Sequence, residues 1–259
     1  MDHLKGQTVL VTGASRGIGA AAARYLGAHG ASVILAARTE AQVSTLAAQI
    51  EEAGGRAIAR ACDVADYAQV EALVQLAKNR DGRLDAVVNN AGLIDPIARI
   101  SDSDPGDWGH IVDVNLKGVY HGIRAALPVM LERGAGTIIN ISSGAATGAL
   151  EGWSHYCATK AAVLSLTKCV HKEYADHGIR SVGLSPGTVA TDMQVQIKAS
   201  GLNPVSQLDP DVHIPPDWVA QAIGFLCGPG AVPYLGTDFT LKTEEGRAAI
   251  GLPPLKPAV

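Results

Sequence analysis

Apolar residues in this chain follow two patterns that take turns. Short continuous runs, rich in β-branched side chains, occupy residues 8–11, 32–36, 57–61, 86–89, 137–141 and 180–184. Between them lie longer stretches whose apolar positions recur at helical spacing, at 17–28, 40–53, 66–79, 107–132 and 154–177. Apolar runs without polar alternation predict strands buried on both faces, as in a parallel sheet covered by helices on each side. Gly30, Gly54, Gly55, Gly134 and Gly178 stand where these helices would close. Strict alternation of strand and helix predicts right-handed crossovers and an α/β fold, a doubly wound parallel sheet of about seven strands.

The rhythm breaks after Pro186. Residues 187–216 are long, polar and proline-bearing, with a short helix expected only around 193–199. A connection of that length inside a compact domain is usually functional, so residues 188–216 are read as a substrate lid. A last helix at 217–227, a last strand at 238–242 and a proline-rich tail follow. With no linker, repeat or low-complexity block, residues 1–259 read as one domain.

Composition narrows the function classes. A chain that is 47% hydrophobic and 18% charged has ample material for a core. The formal net charge of −4, without a Lys/Arg cluster, gives no footprint for nucleic acid. No apolar run approaches the ~18 residues of a membrane span, and Met1-Asp-His-Leu-Lys-Gly-Gln7 runs straight into the first strand. The four cysteines show no C-x-x-C spacing and read as reduced thiols of a cytoplasmic protein. The eight histidines have no metal-ligand spacing, so no metal site is expected.

Chemistry is concentrated in two places. Thr8-Val-Leu-Val-Thr-Gly13-Ala-Ser-Arg-Gly17-Ile-Gly19 is a strand, a glycine-rich turn and a helix start. Glycines let a pyrophosphate approach the backbone, and the helix start offers free N–H groups. This is the Rossmann-like context in which such a turn binds a dinucleotide. NAD-selecting sites usually place an acid at the end of the second strand for the ribose 2′-hydroxyl. Here Ala36-Ala37-Arg38 has none, and Arg16 adds a second guanidinium, a pair that suits a 2′-phosphate and favours NADP(H) over NAD(H). Asp63-Val64 ends the third strand, where the carboxylate either meets an adenine amino group or caps a helix.

The other place is Ser154-His-Tyr-Cys-Ala-Thr-Lys160, with Ser143 thirteen residues before Tyr156. On a helix, Tyr156 and Lys160 share a face. A cation fixed beside a phenol lowers a pKa that is otherwise about 10, and reaching neutrality takes roughly 4 kcal/mol. A phenol so tuned can exchange a proton with an alcohol or carbonyl oxygen.

Taken in order, Thr12-Gly-Ala-Ser-Arg-Gly-Ile-Gly19, Asp63-Val64, Asn89-Asn90-Ala91-Gly92, Asn115, Ser143, Tyr156-x-x-x-Lys160 and Pro186-Gly187 resemble the pattern of the short-chain dehydrogenase/reductase family. The likeness runs from about residue 5 to 242, in the single-domain branch of about 250 residues. The resemblance implies a catalytic set of Asn115, Ser143, Tyr156 and Lys160. Tyr156 would act as acid in reduction or base in oxidation, Ser143 would hydrogen-bond the same oxygen, and Asn115 would sit at a helix irregularity and hold a water linking Lys160 to solvent. It implies cofactor contacts from Gly13, Ser15, Arg16, Gly17, Ile18, Gly19, Arg38, Asp63, Val64, Asn90, Ala91 and Gly92. Further contacts would come from Tyr156, Lys160, Pro186, Gly187, Val189 and Thr191. Ser143, Ala145, Trp153, Tyr156 and Met193 would meet a small carbonyl or alcohol substrate. It also implies a homotetramer or homodimer through the helices at 107–132 and 154–177.

The leading expectation is an NADPH-dependent ketone or 3-oxoacyl reductase. Gly152-Trp153, Cys157 and Thr191-Asp-Met-Gln194 are also similar to sepiapterin and benzil reductases, and sugar or polyol dehydrogenation is a milder alternative. A non-catalytic NADP(H)-binding regulator remains a rival of another class, because fold does not fix function. One departure stands out: the family commonly ends its last strand with a Val-Asp-Gly-Gly-like sequence. Here Phe239-Thr-Leu-Lys-Thr-Glu-Glu-Gly246 takes its place.

Overall fold

The computed structural model describes residues 1–255, so the last four residues of the proline-rich tail lie outside the described residues. Seven strands form one sheet: β1 (Thr8–Thr12), β2 (Ser32–Ala37), β3 (Arg56–Ala61), β4 (Ala86–Asn89), β5 (Gly136–Ile141), β6 (Ile179–Ser185) and β7 (Asp238–Thr240). Their order is β3-β2-β1-β4-β5-β6-β7, and every neighbouring pair is parallel. All residues of β1, β2, β4 and β5 are buried. That is why their sequences lack polar alternation: both faces are covered.

Nine helices accompany the strands: α1 (Gly17–Ala28), α2 (Glu40–Glu52), α3 (Tyr67–Asp81), α4 (Pro105–Val112), α5 (Gly118–Arg133), α6 (Ser154–Tyr174), α7 (Asp192–Ser200), α8 (Pro216–Leu226) and α9 (Glu244–Ala249) among the described residues. Successive strand residues point to opposite faces, and this divides the apolar interior into two layers. Val9, Val11, Val33 and Leu35 pack with residues of α1, α2 and α8. Leu10, Ile34, Val87 and Ile138 pack with residues of α3, α5 and α6. The expected Rossmann-like doubly wound sheet is therefore the observed one.

The helix expected at 107–132 differs in detail. Asp104 Oδ1 accepts hydrogen bonds from the Gly106 and Asp107 amides and starts α4 two residues early. Five residues of π-helix, Asp113–Lys117, then separate α4 from α5. The last strand is shorter than the expected 238–242, because the Lys242 amide turns back onto Thr240 Oγ1 and Thr243 caps α9. The α9 helix was not expected from the sequence.

Residues 188–216 are also more ordered than a structureless lid. They hold α7 and two 3-10 turns, Pro204–Gln207 and Pro210–Val212. Asn203 and Asp209 cap these turns through their side chains, with proline at the first position of each. The segment is closed on itself by a bridge between Val189 and Ile214.

Candidate active site

Sheet order reverses between β1 and β4, and in such sheets ligands bind in the crevice at the carboxyl ends of the strands. A cleft of about 990 Å³ opens there. It collects Gly13, Ser15, Arg16, Gly17 and Ile18 from the glycine turn, Arg38 from the end of β2 and Asp63-Val64 from the end of β3. Asn90, Ala91 and Gly92 follow β4, and Ser143, Ala145, Trp153, Tyr156 and Lys160 come from β5 and α6. Pro186, Gly187, Val189, Thr191 and Met193 complete it after β6. Two expected site residues, Gly19 and Asn115, act from behind this lining.

Close backbone packing shapes the nucleotide end. Gly13 has φ of +64°, and a Cβ there would lie 2.8 Å from the Ala91 Cα. A Cβ on Gly19 would collide with the Gly13 carbonyl. Asn90 Nδ2 donates to the Thr12 and Gly13 carbonyls at 2.9 and 3.1 Å. Thr12 Oγ1 in turn accepts from the Asn90 and Ala91 amides. These bonds tie the glycine turn to the loop after β4. No side chain caps α1, so its first N–H groups remain available for an anion. The glycine-lined floor and these free donors fit a dinucleotide pyrophosphate.

The two arginines are not equivalent. Arg38 directly follows β2, is exposed, and has no carboxylate partner among the described residues. Arg16 shares its charge with Asp192 at the start of α7, at 3.3 Å. Asp63 does not cap α3; Asp66 does, accepting from the Ala68 and Gln69 amides. The Asp63 carboxylate instead accepts from the Ala65 amide at 3.0 Å, while the residue borders the cleft.

At the other end, α6 presents Tyr156 and Lys160 one turn apart, 8% and 5% exposed. Lys160 Nζ donates to the Ile141 carbonyl at 2.6 Å and lies 5.5 Å from the centre of the Tyr156 ring. Ser142 donates its hydroxyl to Asp238 at 2.7 Å, which leaves Ser143 as the serine facing the tyrosine. Ser143 Oγ accepts from the Ala145 amide and so caps the short turn Gly144–Ala146.

The expected lowering of the Tyr156 pKa is reversed among the groups of this chain. Burial pushes the phenol up to about 12, opposed by the Ser143 hydroxyl. Burial also lowers Lys160 to about 8, opposed by Asp238. The physical reason is placement: the ammonium is bound to a carbonyl beside the ring, and desolvation of the phenolate dominates.

Asn115 lies in the π segment, as an irregular helix position. Its side chain is engaged twice with Leu93, donating to the carbonyl at 2.7 Å and accepting from the amide at 2.8 Å. It therefore fixes the loop after β4. Gly187, at φ +82°, turns the chain after Pro186, and Thr191 packs its methyl beside Gly17. Ala145, Trp153, Tyr156 and Met193 gather in one apolar cluster with Ile94 and Ile197. Trp153 meets Tyr156 edge to face at 5.6 Å, so it is both a buried residue and a wall of the cleft.

Several positioning residues escaped the sequence reading. Asn89, Asn140 and Thr167 form a buried chain of hydrogen bonds from β4 through β5 to α6. His155 accepts from the Tyr156 amide and donates to the Pro96 carbonyl, and Trp108 donates to Ser154, so the start of α6 is held from two sides. Asn89 stands in the motif Asn89–Gly92; the only signal of the others in the sequence was polarity at positions that a helix or strand would bury.

A dinucleotide-sized cleft ending in a buried tyrosine, lysine and serine defines an oxidoreductase-type site. The family model described as short chain dehydrogenase matches residues 7–201. A 3-oxoacyl-[acyl-carrier-protein] reductase of Synechocystis sp. is 36% identical over 248 residues, 95% of this chain and 98% of the relative. A 3beta-hydroxysteroid dehydrogenase 1 of Eggerthella lenta is 38% identical over 257 residues, 95% of each chain. The oxidoreductase UcpA of Salmonella typhimurium is 40% identical over 200 residues, 76% of this chain and 74% of the relative. The chain belongs to the short-chain dehydrogenase family. It is thus an oxidoreductase acting on CH–OH or carbonyl groups with a nicotinamide dinucleotide.

Proposed function

We propose that the protein is an NADPH-dependent reductase of ketone or 3-oxoacyl carbonyls. The observation that carries this reading is the meeting of Tyr156, Ser143 and Lys160 at one end of a cleft whose other end is the glycine turn, which sets a protonated phenol and a hydroxyl where a carbonyl oxygen would lie. When bound, the reduced nicotinamide supplies the hydride. Tyr156 donates its Oη proton to the carbonyl oxygen, and Ser143 Oγ donates a hydrogen bond to that oxygen as negative charge develops. Lys160 holds a positive charge beside the tyrosine and stabilises the phenolate left after proton transfer. Gly13, Ser15, Gly17, Ile18 and Gly19 would receive the pyrophosphate, with Asp63 and Val64 at the adenine and Asn90, Ala91 and Gly92 along the ribose. Pro186, Gly187, Val189 and Thr191 would hold the nicotinamide amide. Ala145, Trp153 and Met193 form the apolar wall against which the substrate lies.

The preference for NADP(H) rests mainly on Arg38, with Arg16 available if its pair with Asp192 opens. Arg38 follows β2, whose end carries no carboxylate, Arg16 lies in the glycine turn after β1, and both border the cleft. A charge-assisted bond to a 2′-phosphate contributes about 1.5–3 kcal/mol, so Arg38→Ala should weaken NADPH binding about 10- to 100-fold and leave NADH nearly unchanged. Fluorescence titration with both nucleotides measures this, and tighter binding of NADH by the unaltered protein would refute the preference. The reaction itself is tested by following NADPH absorbance against ketones, α-diketones and 3-oxoacyl thioesters. Binding of NADPH without turnover of any of them would favour a non-catalytic regulator.

We also propose a homo-oligomer built on α5 and α6. Tyr120 on α5 is 48% exposed, and α6 exposes Ala158, Ala161 and Ser165. Sedimentation at micromolar concentration should find dimers or tetramers.

A further inference from the structure

The sequence that replaces the family's usual end of the last strand places two cations on one wall of the cleft. Lys242 follows β7 by two residues, and both it and Arg247 of α9 border the cleft. The Lys242 stem passes Gly187, where a Cβ would come 3.1 Å from its Cγ. Its Nζ reaches the Gly144 backbone, where a Cβ would lie 3.5 Å away. Gly144 is the residue after Ser143, and Ser143, Gly144 and Lys242 all border the same cleft. Among the described residues Lys242 Nζ has neither a carboxylate partner nor a hydrogen bond.

Arg247 reinforces this charge. It is only 9% exposed, yet it is met by carbonyls alone: Nε donates to Leu241, and Nη1 to Pro253 and Pro254. Its guanidinium stacks 5.2 Å from the Trp218 ring. A buried cation met by neutral acceptors, with no ion pair among the described residues, keeps its charge. The carboxylates on this side are Glu244 on α9, which accepts from the Leu255 amide, and Asp238 on β7, which accepts from Ser142 and faces Lys160. The acids bordering the cleft are Asp63 after β3, Asp95 in the loop after β4 and Asp192, which is paired with Arg16.

We propose that Lys242, backed by Arg247, receives an oxyanion carried by the substrate itself a few bonds from the carbonyl, a carboxylate or a phosphate. The inference rests on the reductase reading above and narrows it to small anionic oxo compounds. Lys242 is then a specificity residue: it orients the substrate so that its carbonyl oxygen faces Tyr156 and Ser143.

The test compares matched pairs with NADPH: acetoacetate against methyl acetoacetate, and dihydroxyacetone phosphate against dihydroxyacetone. The unaltered protein should prefer the charged member of at least one pair, and the preferred pair identifies the oxyanion. In Lys242→Met the ratio of kcat/KM for charged over neutral should fall about tenfold, as one charged hydrogen bond is lost, and Lys242→Arg should restore most of it. An equal loss for both members, or a weaker NADPH complex by fluorescence titration, would overturn the proposal, since Lys242 would then serve the fold or the nucleotide. If no compound turns over, the reductase reading fails separately. Binding of the same pairs to the NADP+ complex, read from tryptophan fluorescence, still decides: no difference between the unaltered protein and Lys242→Met in charged-over-neutral affinity would refute it.

Discussion

The nucleotide end of the cleft and its C-terminal wall are held together by different means. At the nucleotide end, parallel ladders and glycines bring backbone against backbone, as where Gly13 meets Ala91. The C-terminal wall, from residue 188 onward, has one three-residue strand and the Val189–Ile214 bridge, and is otherwise helices and turns held largely by side chains: Asn203, Asp209, Thr243 and Arg247. The first arrangement permits little variation, because any side chain at Gly13 or Gly19 displaces main chain. The second changes by single substitutions, and Lys242 is an example. Common nucleotide chemistry at one end and individual substrate chemistry at the other follow from that difference.

Gly13→Val should give the largest effect on this contrast. The new side chain meets Ala91 at a left-handed backbone position, so dinucleotide affinity should fall more than about 100-fold, by about 3 kcal/mol or more in titration. Retained affinity would show that the turn adapts. Lys160→Met separates stability from activity. Burial holds Lys160 near 8 against an ordinary 10.5, so the unfolded chain binds the proton more tightly between those values. Stability from this group therefore rises with pH from about 8 to 10.5, and its charge is a cost below 8. The methionine variant should lose turnover yet be about 1–2 kcal/mol more stable at pH 7, after allowing for its lost bond to Ile141. That gain should vanish above pH 10.5, as read from urea midpoints.

Asn203→Ala should have the smallest effect. It removes a cap on the Val205 amide and a bond to the Glu151 carbonyl, costing about 1–2 kcal/mol locally. A few-fold rise in substrate KM with an unchanged NADPH complex is expected. Weakened nucleotide binding would mean that the two ends are not independent.

The same contrast explains what was legible in the sequence. All seven strands and the order of motifs could be read because apolar runs and glycines signal burial and close approach directly. The chain Asn89–Asn140–Thr167 and the caps of residues 203–212 could not, since each depends on which polar partner the fold delivers, and the irregularity at Asn115 was expected only through the family resemblance. The spacing of Tyr156 and Lys160 predicted their shared helix face but not the sign of the tyrosine shift. That sign depends on burial and on the Ile141 carbonyl that takes the ammonium.

The central claim is that Tyr156 delivers the proton that completes carbonyl reduction. The most direct test measures NADPH affinity and single-turnover NADPH oxidation for Tyr156→Phe beside the unaltered protein, with a ketone that the latter reduces. The account predicts nearly unchanged affinity and an oxidation rate lower by about 100-fold or more, the range for loss of a general acid. A phenylalanine variant that oxidises NADPH at a rate close to the original would contradict it.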